Sequence, residues 1–117
     1  MFAWGRQKIY LIRRDSHNES TYAKVKAILG REKPDLLYID GDHTYQGVKK
    51  DFQMYSPLVR KGGFIVIHDI APHSPEEGCE VHRFWEETKP SLKYREIIMR
   101  KNERGEGLGI GIIWKEG

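Results

Sequence analysis

The chain has 117 residues, of which 38% are hydrophobic, 32% charged and 11% aromatic. That describes one ordinary globular domain, too short for two cores and unlike a collagen-like, low-complexity or disordered chain. The 20 basic and 17 acidic residues are interspersed and leave a net charge of +3, so Arg13-Arg14 and Lys49-Lys50 read as solvated faces, not as a nucleic-acid stripe.

No apolar run exceeds strand length, and Met1 to Lys8 lacks the apolar core of a signal peptide; a cytoplasmic protein without a membrane partner is expected. Cys79 is the single cysteine, which excludes an internal disulfide and a cysteine-rich zinc module. Beside Val81 and Phe84 in an expected helix, it reads as a packed thiol.

Periodicity predicts alternating strands and helices with no dividing linker. Ile9 to Arg13 is apolar enough for a short strand and ends in the polar run Asp15 to Asn18. Tyr22, Val25, Ile28 and Leu29 recur at helical spacing, with Gly30 as the stop. Leu36 to Ile39 is apolar at successive positions, the pattern of a strand covered on both faces. Thr44 then caps a helix with apolar positions Tyr45, Val48, Phe52 and Tyr55, and Pro57 ends it.

Gly62-Gly63 turns into the strand Phe64 to Ile67, which finishes on His68-Asp69. Ser74 to Glu77 resembles a capping box for a helix whose apolar face is Val81, Phe84 and Trp85, closed by Lys89-Pro90. Tyr94 to Met99 and Leu108 to Trp114 are strand-like and too close to be joined in parallel. The sum is one α/β domain over residues 1–117, with a mostly parallel sheet and a C-terminal antiparallel hairpin.

The alternating Gly105, Gly107, Gly109 and Gly111 are not a phosphate loop, because such a loop must open a helix, whereas Leu108, Ile110, Ile112 and Trp114 alternate as a strand. Gly109 and Gly111 are expected to let a helix approach the sheet closely.

Chemistry concentrates elsewhere. If the strands ending at Asp40 and at His68-Asp69 are parallel neighbours, their C-terminal ends share one edge of the sheet, where α/β domains place ligands. Singly, each residue has an ordinary alternative as a loop acid, a cap or a polar strand end. Together, Asp40, His68 and Asp69 make a ligand set for Mg²⁺, Mn²⁺ or another divalent ion. His43, three residues past Asp40, is either a base for a substrate hydroxyl or a surface loop histidine. His17, His73 and His82 have weaker claims: His82 reads as a helix-surface residue, and His73 sits in a loop placed to cover the site.

Asp35-Leu-Leu-Tyr-Ile-Asp-Gly-Asp-His-Thr-Tyr-Gln-Gly-Val-Lys-Lys-Asp-Phe, then Ser56-Pro-Leu-Val and Gly62-Gly-Phe-Ile-Val-Ile-His-Asp, resembles the C-terminal half of class I S-adenosylmethionine-dependent methyltransferases. The similar branch is the metal-dependent one that includes catechol O-methyltransferase-like, cephalosporin-hydroxylase-like and macrolide sugar O-methyltransferase enzymes. The resemblance spans roughly residues 8 to 115 and is least specific at Gly78 to Trp85.

It implies a partial Rossmann-like methyltransferase sheet, a Mg²⁺ or similar ion on Asp40, His68 and Asp69, and a small-molecule hydroxyl acceptor on that metal. His43 would be the base, and the turn Asp15-Ser16-His17 would approach the adenine of S-adenosylmethionine. Ser16 also reads as a helix cap, with Glu19 three residues on. His68 stands where several relatives carry a carboxylate, which favours a softer divalent ion.

The glycine-rich cofactor loop of that family has no counterpart in the sequence. The chain is therefore expected to be a fragment, one part of a split enzyme, or a remnant inactive by itself. A noncatalytic interaction or oligomerisation domain is the alternative, and a small metal-dependent hydrolase a third possibility. A missing neighbour for the strand Leu36 to Ile39 would leave an open edge. Ile9 to Arg13 could cross over to fill it, giving five strands; the far edge would still be open, and a homodimer joined through this N-terminal edge, with Phe2 and Trp4 buried in it, is the expected assembly.

Overall fold

A computed structural model describes residues 5–100 and 107–116. Helix α1 (Glu19–Leu29) leads to strand β1 (Leu36–Ile39), helix α2 (Tyr45–Tyr55), strand β2 (Phe64–His68), helix α3 (Val81–Thr88) and the hairpin of β3 (Lys93–Arg100) with β4 (Gly107–Trp114). The sheet order is β1-β2-β4-β3. β1 and β2 are parallel, with Ile39 opposite Ile67, while β4 pairs antiparallel with both β2 and β3. This is the expected α/β sheet with its antiparallel hairpin, mixed in its pairing because β4 lies between β2 and β3. No described helix is long and apolar enough to cross a membrane.

The core lies between the sheet and helices α2 and α3. Alternation along β2 sends Ile65 and Ile67 inward, where Val48, Val59, Val81, Phe84, Trp85 and Ile113 meet them. Gly111 of β4 is needed for this: a Cβ there would stand 2.6 Å from the Trp85 ring of α3. Gly109 does a different job from the one expected, lying under the turn after β2, where Ile70 and Ala71 would meet its Cβ.

Several local expectations are corrected. Ile9 to Arg13 forms no strand, and the sheet has four strands among the described residues. An apolar segment becomes a strand only when a neighbour satisfies its backbone, and Ile9, Tyr10 and Leu11 remain exposed. β1 is covered on one face only: Leu37 and Ile39 turn inward, while Leu36 and Tyr38 are 53% and 52% exposed. Phe2, Trp4 and Gly105 lie outside the described residues.

Asn18, not Ser16, caps α1, its side chain accepting from Ser20 N–H, and Gly30 ends the helix at φ +60. Ser74 to Glu77 forms a short 3₁₀ turn that Gly78 breaks at φ +67, so α3 starts only at Val81 and Cys79 precedes it.

Candidate metal and acceptor site

The parallel register sets the site. With Ile39 beside Ile67, the next residues, Asp40 just past β1 and His68 at the end of β2, stand side by side. His68 Nδ1 is 3.1 Å from Asp40 Oδ1 and 3.1 Å from Asp69 Oδ2. His43 Nε2 is 3.3 Å from Asp40 Oδ1 and 3.6 Å from Asp69 Oδ2. The four residues expected from the sequence thus converge on one point, and the Tyr38 ring stands edge-on to His68 at 6.3 Å.

Asp69 is held there under strain. It is the one non-glycine residue with positive φ among those described, at +64, a conformation that costs of the order of 1–3 kcal/mol outside glycine and collects at functional sites. Its N–H donates to Gly109 O at 2.8 Å, so the bare backbone of Gly109 is what admits the turn.

The loop carrying Asp40 and His43 is pinned from three sides. Asp42 accepts from Thr44 N–H, which holds its carboxyl below the usual range. Gly47 of α2 leaves the space that Asp42 fills. Glu80 accepts from Tyr45 N–H at 3.0 Å and donates its own N–H to His43 O at 2.7 Å, placing an anion at the start of α2. Gly47 and Glu80 escaped the sequence reading; the spacing of Gly47 from Thr44 is a signal of a tight loop-to-helix turn, whereas Glu80 has none.

Asp15, Ser16 and His17 lie apart from this cluster. They line or flank a cavity of about 350 Å³ bounded by Thr21 and Val25 of α1, Leu37 to Gly41, and Asp51 and Tyr55 of α2. Asp51, another residue missed, is buried beneath the turn: Ser16 Oγ donates to it at 2.7 Å and His17 Nε2 lies 3.1 Å away. Tyr55 Oη donates to Ser16 O at 2.7 Å, and burial pushes the Tyr55 phenol up. Asp40 borders the same cavity, so the Ser16 turn and the acidic cluster open onto shared space.

The other histidines are packed. His82 Nδ1 lies 3.0 Å from Ile70 O, not on a helix surface, and His73 is tucked against Glu77 and against Asp69 of the cluster. Cys79 is half-buried, and burial raises its thiol pKa, away from a nucleophile's.

Comparison with known proteins decides the family. The model of a methyltransferase domain matches residues 5–70. The chain belongs to this methyltransferase domain family. Its fold agrees: an O-methyltransferase from Bacillus cereus in complex with SAH aligns over 83% of this chain and 47% of its own, at TM-score 0.51 and 17% identity. The O-methyltransferase TomG from Streptomyces achromogenes, involved in tomaymycin synthesis and solved with SAM, aligns over 81% and 47%, at TM-score 0.51 and 18% identity.

Protein R132 of Acanthamoeba polyphaga mimivirus is 57% identical over 35 residues, 30% of this chain and 16% of that protein. This chain spans about half the length of these two solved structures.

Proposed function

We propose that this chain forms the metal and acceptor side of an S-adenosylmethionine-dependent O-methyltransferase. The observation that carries the reading is the convergence of Asp40, His43, His68 and Asp69 at the ends of two parallel strands.

The donors fit a divalent cation. Cis ligands of an octahedral ion at about 2.1 Å lie roughly 3 Å apart, and His68 Nδ1 is 3.1 Å from each carboxylate. Neither contact has hydrogen-bond geometry, and Nδ1 is buried without a partner, an arrangement a cation satisfies and a simple ion pair does not. Asp40, His68 and Asp69 would hold it, and His68 widens the choice beyond Mg²⁺ toward Mn²⁺. A bound divalent ion supplies positive charge that makes an acceptor hydroxyl more acidic.

The chain's own residues do the rest. His43 turns Nε2 to the cluster, 3.3 Å from Asp40 Oδ1 and 3.6 Å from Asp69 Oδ2, so Nε2 is the ring atom placed to take the proton of a hydroxyl held there. Ser16 and its neighbours Asp15 and His17, clamped by Asp51, offer polar contacts to the adenine end of S-adenosylmethionine across the shared cavity. S-adenosylmethionine would supply the methyl group to the oxygen that His43 deprotonates, its sulfur keeping the electron pair of the broken bond.

Calorimetry with Mn²⁺ on wild type, Asp40→Ala and His68→Ala tests the centre: wild type gives saturable heat, each variant at least tenfold weaker binding. Equal heats from all three proteins overturn the reading. Adenine contacts alone are expected to hold S-adenosylmethionine more weakly than a Kd of about 1 μM in residues 1–117; tighter binding would mean that these residues build a complete cofactor pocket.

A further inference from the structure

Asp69 faces two ways. Its Oδ2 points to His68 and His43, and its Oδ1 points to His73 Nε2 at 3.8 Å. The residue is 8% exposed, and both Oδ1 and His73 Nε2 are buried without a hydrogen-bond partner.

His73 Nδ1 lies 2.8 Å from Glu77 Oε2. A carboxylate only accepts, so that ring nitrogen carries the proton and Nε2 presents a lone pair. A lone pair and a carboxylate oxygen facing each other in buried space repel, and what both lack is a cation. Cys79 closes the third side: its Sγ, a His73 ring nitrogen and an Asp69 oxygen all lie within 4.8 Å of one another. An imidazolium bridging Glu77 and Asp69 is the competing arrangement, but 3.8 Å is too long for its second hydrogen bond.

We propose that Asp69 Oδ1, His73 Nε2 and Cys79 Sγ form a second cation site, suited to Zn²⁺, with Asp69 bridging it to the cluster around His68. One oxygen, one nitrogen and one sulfur ligand match the borderline softness of Zn²⁺, and three protein ligands leave a fourth position for water. Glu77 plays the part of the carboxylate that fixes the tautomer of a metal-ligating histidine. Binding displaces the Cys79 thiol proton to solvent. The proposal shares Asp69 with the reading above but needs neither methyl transfer nor an ion at Asp40.

The test uses Co²⁺ as the probe on the metal-free full chain, because a thiolate bound to Co²⁺ gives a charge-transfer absorption. Wild type is expected to develop that band and to saturate it as Co²⁺ is added. Cys79→Ser, which keeps the volume, abolishes it, His73→Ala weakens binding at least tenfold, and Glu77→Gln weakens it by about tenfold or more. Asp40→Ala, which empties only the first site, keeps the band, so loss of Mn²⁺ binding at Asp40 leaves this result intact. Circular dichroism establishes that each variant is folded. A wild type without the band, the outcome if His73 is an imidazolium between two carboxylates, overturns the proposal, as does a band indifferent to His73→Ala.

Discussion

Ser16 Oγ donates to the Asp51 carboxylate at 2.7 Å, tying the turn before α1 to the middle of α2 across 35 positions of chain. Asp51 is buried, and His17 Nε2 stands 3.1 Å from the same oxygen. Replacing Asp51 by Ala leaves the Ser16 hydroxyl unsatisfied and frees the turn. A loss of about 1–3 kcal/mol in urea denaturation is expected, together with faster amide exchange at Ser16 and His17. Unchanged exchange would mean that the turn is held by Tyr55 and by the His17 contact with Gly47 O at 3.1 Å.

Gly111 sits under Trp85, and a Cβ would reach within 2.6 Å of its ring. Gly111→Ala is therefore expected to overpack the core and cost about 1–3 kcal/mol, read as a lower Tm. A neutral substitution would show that α3 can slide away from the sheet.

Some of this architecture follows from local pattern and some does not. Asp40 and His68 are placed by strand ends, and strand ends show in the sequence as apolar runs stopping at polar residues. The gathering of His43 with them follows from a three-residue spacing. Asp51 has no such mark: it is one acid in a helix, and its partners lie 34 and 35 positions away. The run Leu36 to Ile39 predicts two covered faces because the sequence cannot tell an apolar residue that is buried from one awaiting cover. Ile9 to Arg13 fails as a strand for a related reason, since pairing depends on a neighbour and not on the segment. Gly78 shows the reverse, a single residue ending a helix that the preceding Ser74 to Glu77 pattern announces.

Glu96 accepts from Lys89 Nζ at 2.6 Å and from Trp85 Nε1 at 2.7 Å. The Lys89 bond first, and the Trp85 bond after it, hold the Glu96 carboxyl below its ordinary value. A depressed acid contributes stability that is fully present above the unfolded pKa, about 4.3, and is lost as pH falls through the folded one. Lys89 is shifted upward by its bond to Glu86 first and by its bond to Glu96 after that, so its contribution persists below about pH 10.4 and leaves the neutral range flat. The Tm gap between wild type and Glu96→Gln should be constant near pH 7 and shrink below about pH 4. A gap that survives at pH 2 would assign the effect to packing.

Asp69 holds φ +64 with a β-carbon. Asp69→Ala and Asp69→Gly remove the same carboxylate, but only glycine relieves the backbone. Measured in chelator, the glycine variant should be more stable than the alanine variant by about 1 kcal/mol, while both lose Mn²⁺ binding. Equal stability of the two would show that the turn relaxes out of the left-handed region once the carboxylate is gone.

β1 pairs with β2 on one side, and no described strand pairs with its other side. The strand is Leu36-Leu37-Tyr38-Ile39, without the lysine, proline or bulge that usually blunts an edge. Leu36 and Tyr38 are half exposed, and Ile9, Tyr10 and Leu11 add apolar surface before α1. Covering a large side chain contributes about 1.5–3 kcal/mol, enough over several residues to favour association. A second copy of the chain, pairing β1 with β1, is the expected partner at micromolar concentration. Light scattering should give a dimer for wild type and a monomer for Leu36→Lys. The opposite edge supplies the control, because Ile98 of β3 is also exposed: Ile98→Lys should leave the dimer intact. A monomeric wild type would refute the pairing, and a dimer broken by Ile98→Lys alone would move the interface to β3.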